Sequence, residues 1–326
     1  MPTLGIIGGS GLYELEGLTE VRWQRVRTPF GDPSDAYCIG RLGDREIVFL
    51  PRHGRGHRLI PSELPFRANL YGMKALGVEW VISISAVGSM RERIAPLDLV
   101  IPDQFYDHTK RRIPSFFEEG IVAHVSMADP VCPDLASVLQ AASAETGATV
   151  HRGGTYLCIE GPQFSTKAES RIYRGWGVDV IGMTNVPEVK LAREAELCYA
   201  TLALVTDYDV WHETEAQVTV EAVIANLLKN IATAKSVLRR AIPRLHGPRT
   251  CACPGLLRSA VITSPAAFPE LARRRLDLLI GKYFPPTPPV PTARPRQLAA
   301  PLRAPRRRAK GAKDPRGTKS RGGRRG

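Results

Sequence analysis

The sequence predicts a three-layer α/β domain followed by a basic, disordered tail. From residue 3 to about residue 245, short apolar runs alternate with amphipathic segments, the pattern of strands connected by helices. Most of the apolar runs stop at a Gly, Pro, Ser or Asp cluster, which is turn chemistry. The run Cys198-Tyr199-Ala200-Thr201-Leu202-Ala203-Leu204-Val205 is apolar on both alternate faces, as a strand held between two layers must be.

Leu4–Ile7 reads as the first strand, running into Gly8-Gly9-Ser10-Gly11. Glu46–Leu50 is a strand ending at Pro51-Arg52-His53-Gly54. Pro65–Leu76 has helical spacing and opens on a proline, which suits a first turn. Trp80–Ser85 is a buried strand followed by Ala86-Val87-Gly88-Ser89. Gly154–Glu160 is a strand, Ala168–Trp176 a helix, and Val178–Gly182 a strand leading into Met183-Thr184-Asn185-Val186-Pro187-Glu188. A helix through Leu191–Ala195 feeds the strand at 198–205. Val220–Leu245 is a long helix with Val220, Val223, Ile224, Leu227, Leu228 and Ile231 on one face. Residues 246–254 form a turn-rich linker, and Ala267–Tyr283 a helix that can dock through Leu271, Leu276, Leu279 and Ile280. The expected divisions are therefore 1–245, 246–284 and 285–326.

Charge separates the last division from the rest. The net charge is +13, and residues 285–326 hold thirteen Arg/Lys against one Asp, with nine prolines. The body is therefore close to neutral. A segment so poor in large apolar groups cannot offset its chain entropy and is expected to be disordered. No run approaches the roughly 18–20 apolar residues of a membrane span. The N-terminus has no charged leader region, so a cytoplasmic protein is expected. Of six cysteines, only Cys251 and Cys253 are close in sequence. They read as free thiols or a local redox staple, and no metal site is expected from so few ligands.

The strand-end loops carry the chemistry. Gly8-Gly9-Ser10-Gly11, Arg52-His53, Ser85-Ala86 and Thr184 supply backbone N–H groups, hydroxyls, an imidazole and a forked cation, the groups that hold a phosphate-sized oxyanion. The glycine turn lacks the third glycine of a dinucleotide fingerprint and the Gly-Lys-Ser/Thr of a P-loop. Thr206-Asp207-Tyr208-Asp209 follows the most buried strand. Two carboxylates there form either an exposed turn or a ligand site at the sheet's carboxyl edge.

The motifs Gly5-Ile6-Ile7-Gly8-Gly9-Ser10-Gly11, Pro51-Arg52-His53-Gly54-Arg55-Gly56-His57, Arg67-Ala68-Asn69, Glu160-Gly161-Pro162-Gln163-Phe164, Gly182-Met183-Thr184-Asn185-Val186-Pro187-Glu188 and Thr206-Asp207-Tyr208-Asp209 resemble, in order, those of the trimeric purine nucleoside phosphorylase family. Within that family the likeness is to the bacterial branch acting on S-methyl-5′-thioadenosine. The resemblance spans about residues 4–245. It implies a central mixed sheet flanked by helices, a homotrimer, no cofactor, and inorganic phosphate as co-substrate. The implied reaction is attack of phosphate on the anomeric carbon, releasing a purine and a pentose 1-phosphate.

The resemblance also assigns roles. Ser10, Arg52, His53, Ser85, Ala86 and Thr184 form the phosphate cradle. Met183 lies beside the ribose and Phe164 over base or sugar. Val220, Val223 and Ile224 receive the 5′-methylthio group, although a helix needs a core face in any case. His124 closes the 5′ pocket from a neighbouring subunit. Ser165 and Val220 bear on substrate specificity. Two departures stand out: Ser10 replaces a common Thr, and Gly182 occupies a position that is Asn in animal members.

Asp207 and Asp209 then acquire catalytic work. A protonated carboxyl donates to purine N7 and makes the base a better leaving group, while a carboxylate accepts from a 6-amino group. Family members that prefer 6-oxopurines carry Asn at the first of these positions, so Asp207 points to adenine release. The competing expectations are a broader purine nucleoside phosphorylase acting on adenosine or 6-oxopurine nucleosides, and a protein that binds nucleic acid or another anionic partner through its tail.

Overall fold

The computed structural model describes residues 3–9, 12, 15–212 and 220–285. Side chains of Val220, Ala222 and Val223 are outside that description. So are Ser10 and the expected tail, apart from Pro285.

The elements in chain order are β1 (Thr3–Gly8), β2 (Thr19–Gln24), β3 (Tyr37–Leu42), β4 (Arg45–Pro51), α1 (Phe66–Ala75), β5 (Val78–Ser89), β6 (Leu99–Ile101), β7 (Gln104–His108), α2 (Pro133–Ala144), β8 (Val150–Arg152), β9 (Thr155–Ile159), α3 (Lys167–Gly175), β10 (Val180–Gly182), α4 (Asn185–Glu194), β11 (Cys198–Asp207), α5 (Val220–Ala241) and α6 (Glu270–Ile280). The strands form one mixed sheet in the order β2-β3-β4-β1-β5-β10-β9-β7, with β11 on β5 and β6-β8 beyond it.

Period-two alternation divides β11 between two cores. Tyr199, Ala203 and Val205 face one layer with residues of α1, α4 and α6. Cys198, Ala200, Leu202 and Leu204 face the other with residues of α2 and α5. A strand placed this way has no solvent face, which is why its sequence shows no polar alternation.

Three boundaries, one helix face and one cysteine pair differ from the sequence reading. β5 does not stop at Ser85: it continues to Ser89 because β11 pairs with it through Gly88 and β10 pairs with Gly88 and Ser89. Asp207 does not follow the strand but is its last residue. α6 starts at Glu270 rather than Ala267, since Pro269 holds an extended conformation at its N-cap. In α5 the expected stripe is only partly a core face: Leu227 and Ile231 pack against the α2 side of the core, but Ile224 and Leu228 do not. Those two are 50% and 64% exposed, while Asn230, Ala234, Val237, Leu238 and Ala241 are buried. The Cys251-Ala252-Cys253 pair is also not self-contained, because Cys132 and Cys198 meet it.

Residues 246–285 lie on the domain body. Leu257, Ala260, Ala272, Leu276, Leu279 and Ile280 are part of the α1/α4 core, and the His124 backbone N–H donates to Ala260.

Candidate active site

An interruption in the sheet opens the site. β11 pairs along one edge of β5 from Trp80 to Gly88. On the other edge β1 pairs only as far as Ser83, and β10 begins at Gly88. Among the described residues, no strand pairs with Ile84–Val87 on that edge. Ala86 is the one exposed position in β5. An amide on an unpaired, accessible strand segment is a ready donor to an oxyanion.

Hydroxyls gather at this opening. Ser85 Oγ lies 3.1 Å from both Thr184 Oγ1 and Tyr156 Oη. Burial pushes the Tyr156 phenol up, so it stays protonated. Gly182 explains how Tyr156 fits: a Cβ at position 182 would overlap the Tyr156 hydroxyl.

Arg52, just past β4, is buried beneath the opening. Its Nε and Nη2 donate to the two Glu188 oxygens at 3.0 Å. Nη1 donates to Ile84 O at 2.8 Å, and Nη2 also donates to Ser83 Oγ at 2.6 Å. Glu188 further accepts from Ser83 Oγ and Tyr199 Oη. Most of the guanidinium fork is therefore spent inside the protein, so Arg52 sits here as a hub joining β4, β5, α4 and β11. The adjacent His53 shares a 2.8 Å contact between Nδ1 and Leu59 O. Since the carbonyl only accepts, Nδ1 carries the proton and Nε2 a lone pair. Burial pushes this imidazole down to about 4, so it is neutral at physiological pH.

At the end of β11, Asp207 pairs with Gly88 of β5, and a Cβ on Gly88 would stand 2.9 Å from Asp207 Oδ1. The missing side chain is what admits the carboxylate. Asp207 accepts from Thr206 Oγ1 at 2.7 Å and from the Asp209 N–H at 2.8 Å. Asp209, with φ +52°, accepts from Ser170 Oγ. Burial raises both carboxyls above the ordinary aspartate range, and for Asp209 the Asp207 charge adds to this. The pair is no exposed turn.

The loop Glu160–Ser165 lies over Met183: a Cβ on Gly161, which has φ +64°, would be 2.5 Å from Met183 Sδ. Phe164 in this loop is 47% exposed. Ser165 Oγ is buried, and among the described residues it has no hydrogen bond partner. α5 passes the end of β11, where Asn226 and Asn230 donate to the carbonyls of Thr206 and Val205; exposed Ile224 lies half a turn before Asn226. His124 is exposed, and among the described residues no hydrogen bond joins it to Asp207, Ser85 or Met183. Sequence reasoning missed Tyr156, Ser170, Ser83 and Gly88 as members of this site. It quoted Glu188 only within a motif.

The phosphorylase superfamily model matches residues 3–243. The chain belongs to that superfamily. It is 59% identical over 281 residues to S-methyl-5′-thioadenosine phosphorylase of Geobacter sulfurreducens, covering 86% of this chain and 98% of the relative. It is 57% identical to the protein of the same name from Koribacter versatilis, covering 86% and 96%. Among solved structures it is similar to a methylthioadenosine phosphorylase from an antarctic soil metagenomic library, with TM-score 0.81, 48% identity and coverage of 86% and 99%. It is also similar to methylthioadenosine phosphorylase of Schistosoma mansoni in complex with adenine, with TM-score 0.76, 36% identity and coverage of 80% and 99%.

Proposed function

We propose that the protein cleaves S-methyl-5′-thioadenosine with inorganic phosphate, giving adenine and 5-methylthioribose 1-phosphate. The observation that carries this reading is the pairing of half-buried Asp207 with buried Asp209 beside an unpaired, hydroxyl-lined strand segment, in a chain 50–59% identical to several relatives bearing that name.

Phosphate lies in the opening between β1 and β10, held by the Ala86 N–H, Ser85, Thr184, His53 and Ser10. Arg52 contributes its charge and fixes the floor. A phosphate oxygen attacks the anomeric carbon from the face opposite the purine. The bond from that carbon to N9 breaks, and its electron pair enters the purine. Asp207 delivers its proton to N7, which relieves the developing charge. The neutral His53 accepts a hydrogen bond at Nε2 from the phosphate O–H and orients the nucleophile without taking its proton. The proton the base gains leaves Asp207 as a carboxylate, which solvent reprotonates once adenine departs. Asp209 accepts from the 6-amino group. Met183 and Phe164 pack against the nucleoside. Val220, Val223, Ile224 and a neighbouring subunit's copy of His124 enclose the 5′ group, and Ser165 and Val220 tune its recognition. This is a cytoplasmic homotrimer needing no cofactor.

A panel of methylthioadenosine, adenosine, methylthioinosine and inosine, each with and without phosphate, tests the reading. Phosphate-dependent adenine release from methylthioadenosine is expected to be fastest. Faster cleavage of inosine or methylthioinosine would overturn it. Measurable turnover of adenosine is compatible, because an apolar 5′ contact discriminates by only about 1–3 kcal/mol.

A further inference from the structure

Four of the six cysteines converge far from the substrate site. Cys132 is the N-cap of α2, Cys198 opens β11, and Cys251 and Cys253 lie in the segment after α5. Their four sulfurs are all within 4.8 Å of one another, and Cys198 and Cys251 Sγ are 3.3 Å apart. Cys132, Cys198 and Cys253 are buried and Cys251 is half-buried. We propose that these four thiolates form a closed tetrahedral site for one structural zinc ion per chain.

The geometry favours a central ion over paired sulfurs. With metal–sulfur bonds of about 2.3 Å, tetrahedral sulfurs stand about 3.8 Å apart, inside the spread seen here. Four-way mutual approach is what a shared centre requires. The surroundings hold the ligands in place before any ion arrives. The Cys132 N–H donates to Tyr199 O, next to Cys198. Thr250 Oγ1 donates to Asp134 at 2.8 Å, linking the residue before Cys251 to the first turn of α2. Arg249 donates to the carbonyls of Glu196 and Glu79, which brings a cation to the same end of the sheet. The site carries a net negative charge once metallated, and Cys132 meets it at the positive end of the α2 dipole.

Position gives the ion its role. Cys198 and Asp207 are opposite ends of one ten-residue strand, roughly 30 Å apart at 3.3 Å per residue. No ligand position is left for substrate, so the ion works as a staple. It fastens residues 246–255 to α2 and β11, beyond the reach of the phosphorolysis chemistry.

The test is metal analysis of full-length protein purified without chelator, followed by reductive stripping and reconstitution with zinc or cobalt(II) alone. Expected results are one zinc per chain as isolated, and intense visible d–d and thiolate charge-transfer absorption with cobalt. A Cys251→Ser/Cys253→Ser variant is expected to lose both signals and melt at lower temperature while keeping phosphorolysis at low temperature within twofold. Should that variant fail to fold, the wild-type metal content and cobalt spectrum decide alone. Absence of stoichiometric zinc together with a featureless cobalt spectrum under reducing conditions overturns the proposal. So does stoichiometric iron with sulfide, or disulfide-linked peptides among these four cysteines in the isolated protein.

Discussion

The backbone N–H of Asp209 donates to Oδ1 of Asp207 at 2.8 Å, so the first carboxyl of the pair is oriented by the peptide of the second. Thr206 holds the other oxygen, and Gly88 leaves the room. Asp207→Asn keeps this shape and loses the titratable proton. Phosphorolysis of methylthioadenosine is expected to fall by on the order of 10²–10⁴-fold, the usual worth of a general acid, with a relative gain for 6-oxopurine nucleosides. The pH profile gives an independent check. Burial raises the Asp207 pKa, and the acid works only while protonated, so activity declines as pH rises through the folded value. An unchanged alkaline limb in the Asn variant would remove Asp207 from the acid role.

Glu188 and Arg52 form a bidentate pair with side chains 0% and 3% exposed. Removing one partner leaves a buried charge, which typically costs about 3–5 kcal/mol. Glu188→Ala is expected to cost that much in urea unfolding, with Arg52→Ala similar. If either variant unfolds at the wild-type midpoint with the same slope, the pair is no hub and Arg52 is free to serve phosphate directly.

Tyr156 occupies the volume above Gly182. Gly182→Ala therefore overpacks the site, with an expected stability cost of about 1–3 kcal/mol. Because Tyr156 Oη bonds Ser85, the KM for phosphate is expected to rise more than that for nucleoside. Adding Tyr156→Phe vacates the hydroxyl and is expected to recover part of the lost stability. Simple additivity of the two changes would separate them.

Local patterns made much of this legible. Ile6-Ile7, Ile47–Leu50, Trp80–Ser85 and Cys198–Val205 are apolar because they are buried on two faces, and their composition alone places them. β2 carried no such signal, since all six of its residues are exposed. α2 was readable but missed: Pro133 in the first turn, with Leu135, Ala136, Leu139 and Ala142 at helical spacing, is an ordinary helix signature. The Arg52–Glu188 hub and the four-cysteine cluster were not readable. Their members are separated by 136 residues in one case and by up to 121 in the other, and only the sheet order unites them. The α5 face was legible only in part: Leu227 and Ile231 of the expected stripe meet the core, while Ile224 and Leu228, near the start of the helix, are exposed.

Glu194, at the C-terminal end of α4, supplies a pH test of stability that is independent of catalysis. It accepts from the Phe116 N–H at 2.7 Å and Ser115 Oγ at 2.8 Å, but burial outweighs these bonds and raises its pKa from 4.5 to about 7. The folded state thus binds this proton more tightly than the unfolded state. Its contribution is fully present below the unfolded value of 4.5 and is lost as pH rises through about 7. The amount at stake is at most about 3 kcal/mol, at 1.36 kcal/mol per pKa unit. A carboxylate at a helix C-terminus also opposes the helix dipole, which acts in the same direction. Glu194→Gln keeps an acceptor for Phe116 and removes the titration. Other carboxylates and histidines titrate in both proteins, so the informative quantity is the difference between their unfolding free energies across roughly pH 5 to 8.5. That difference is expected to move in favour of the variant through this window and then level off. A difference that stays flat would show that Glu194 ionises in the folded protein as it does in the unfolded one.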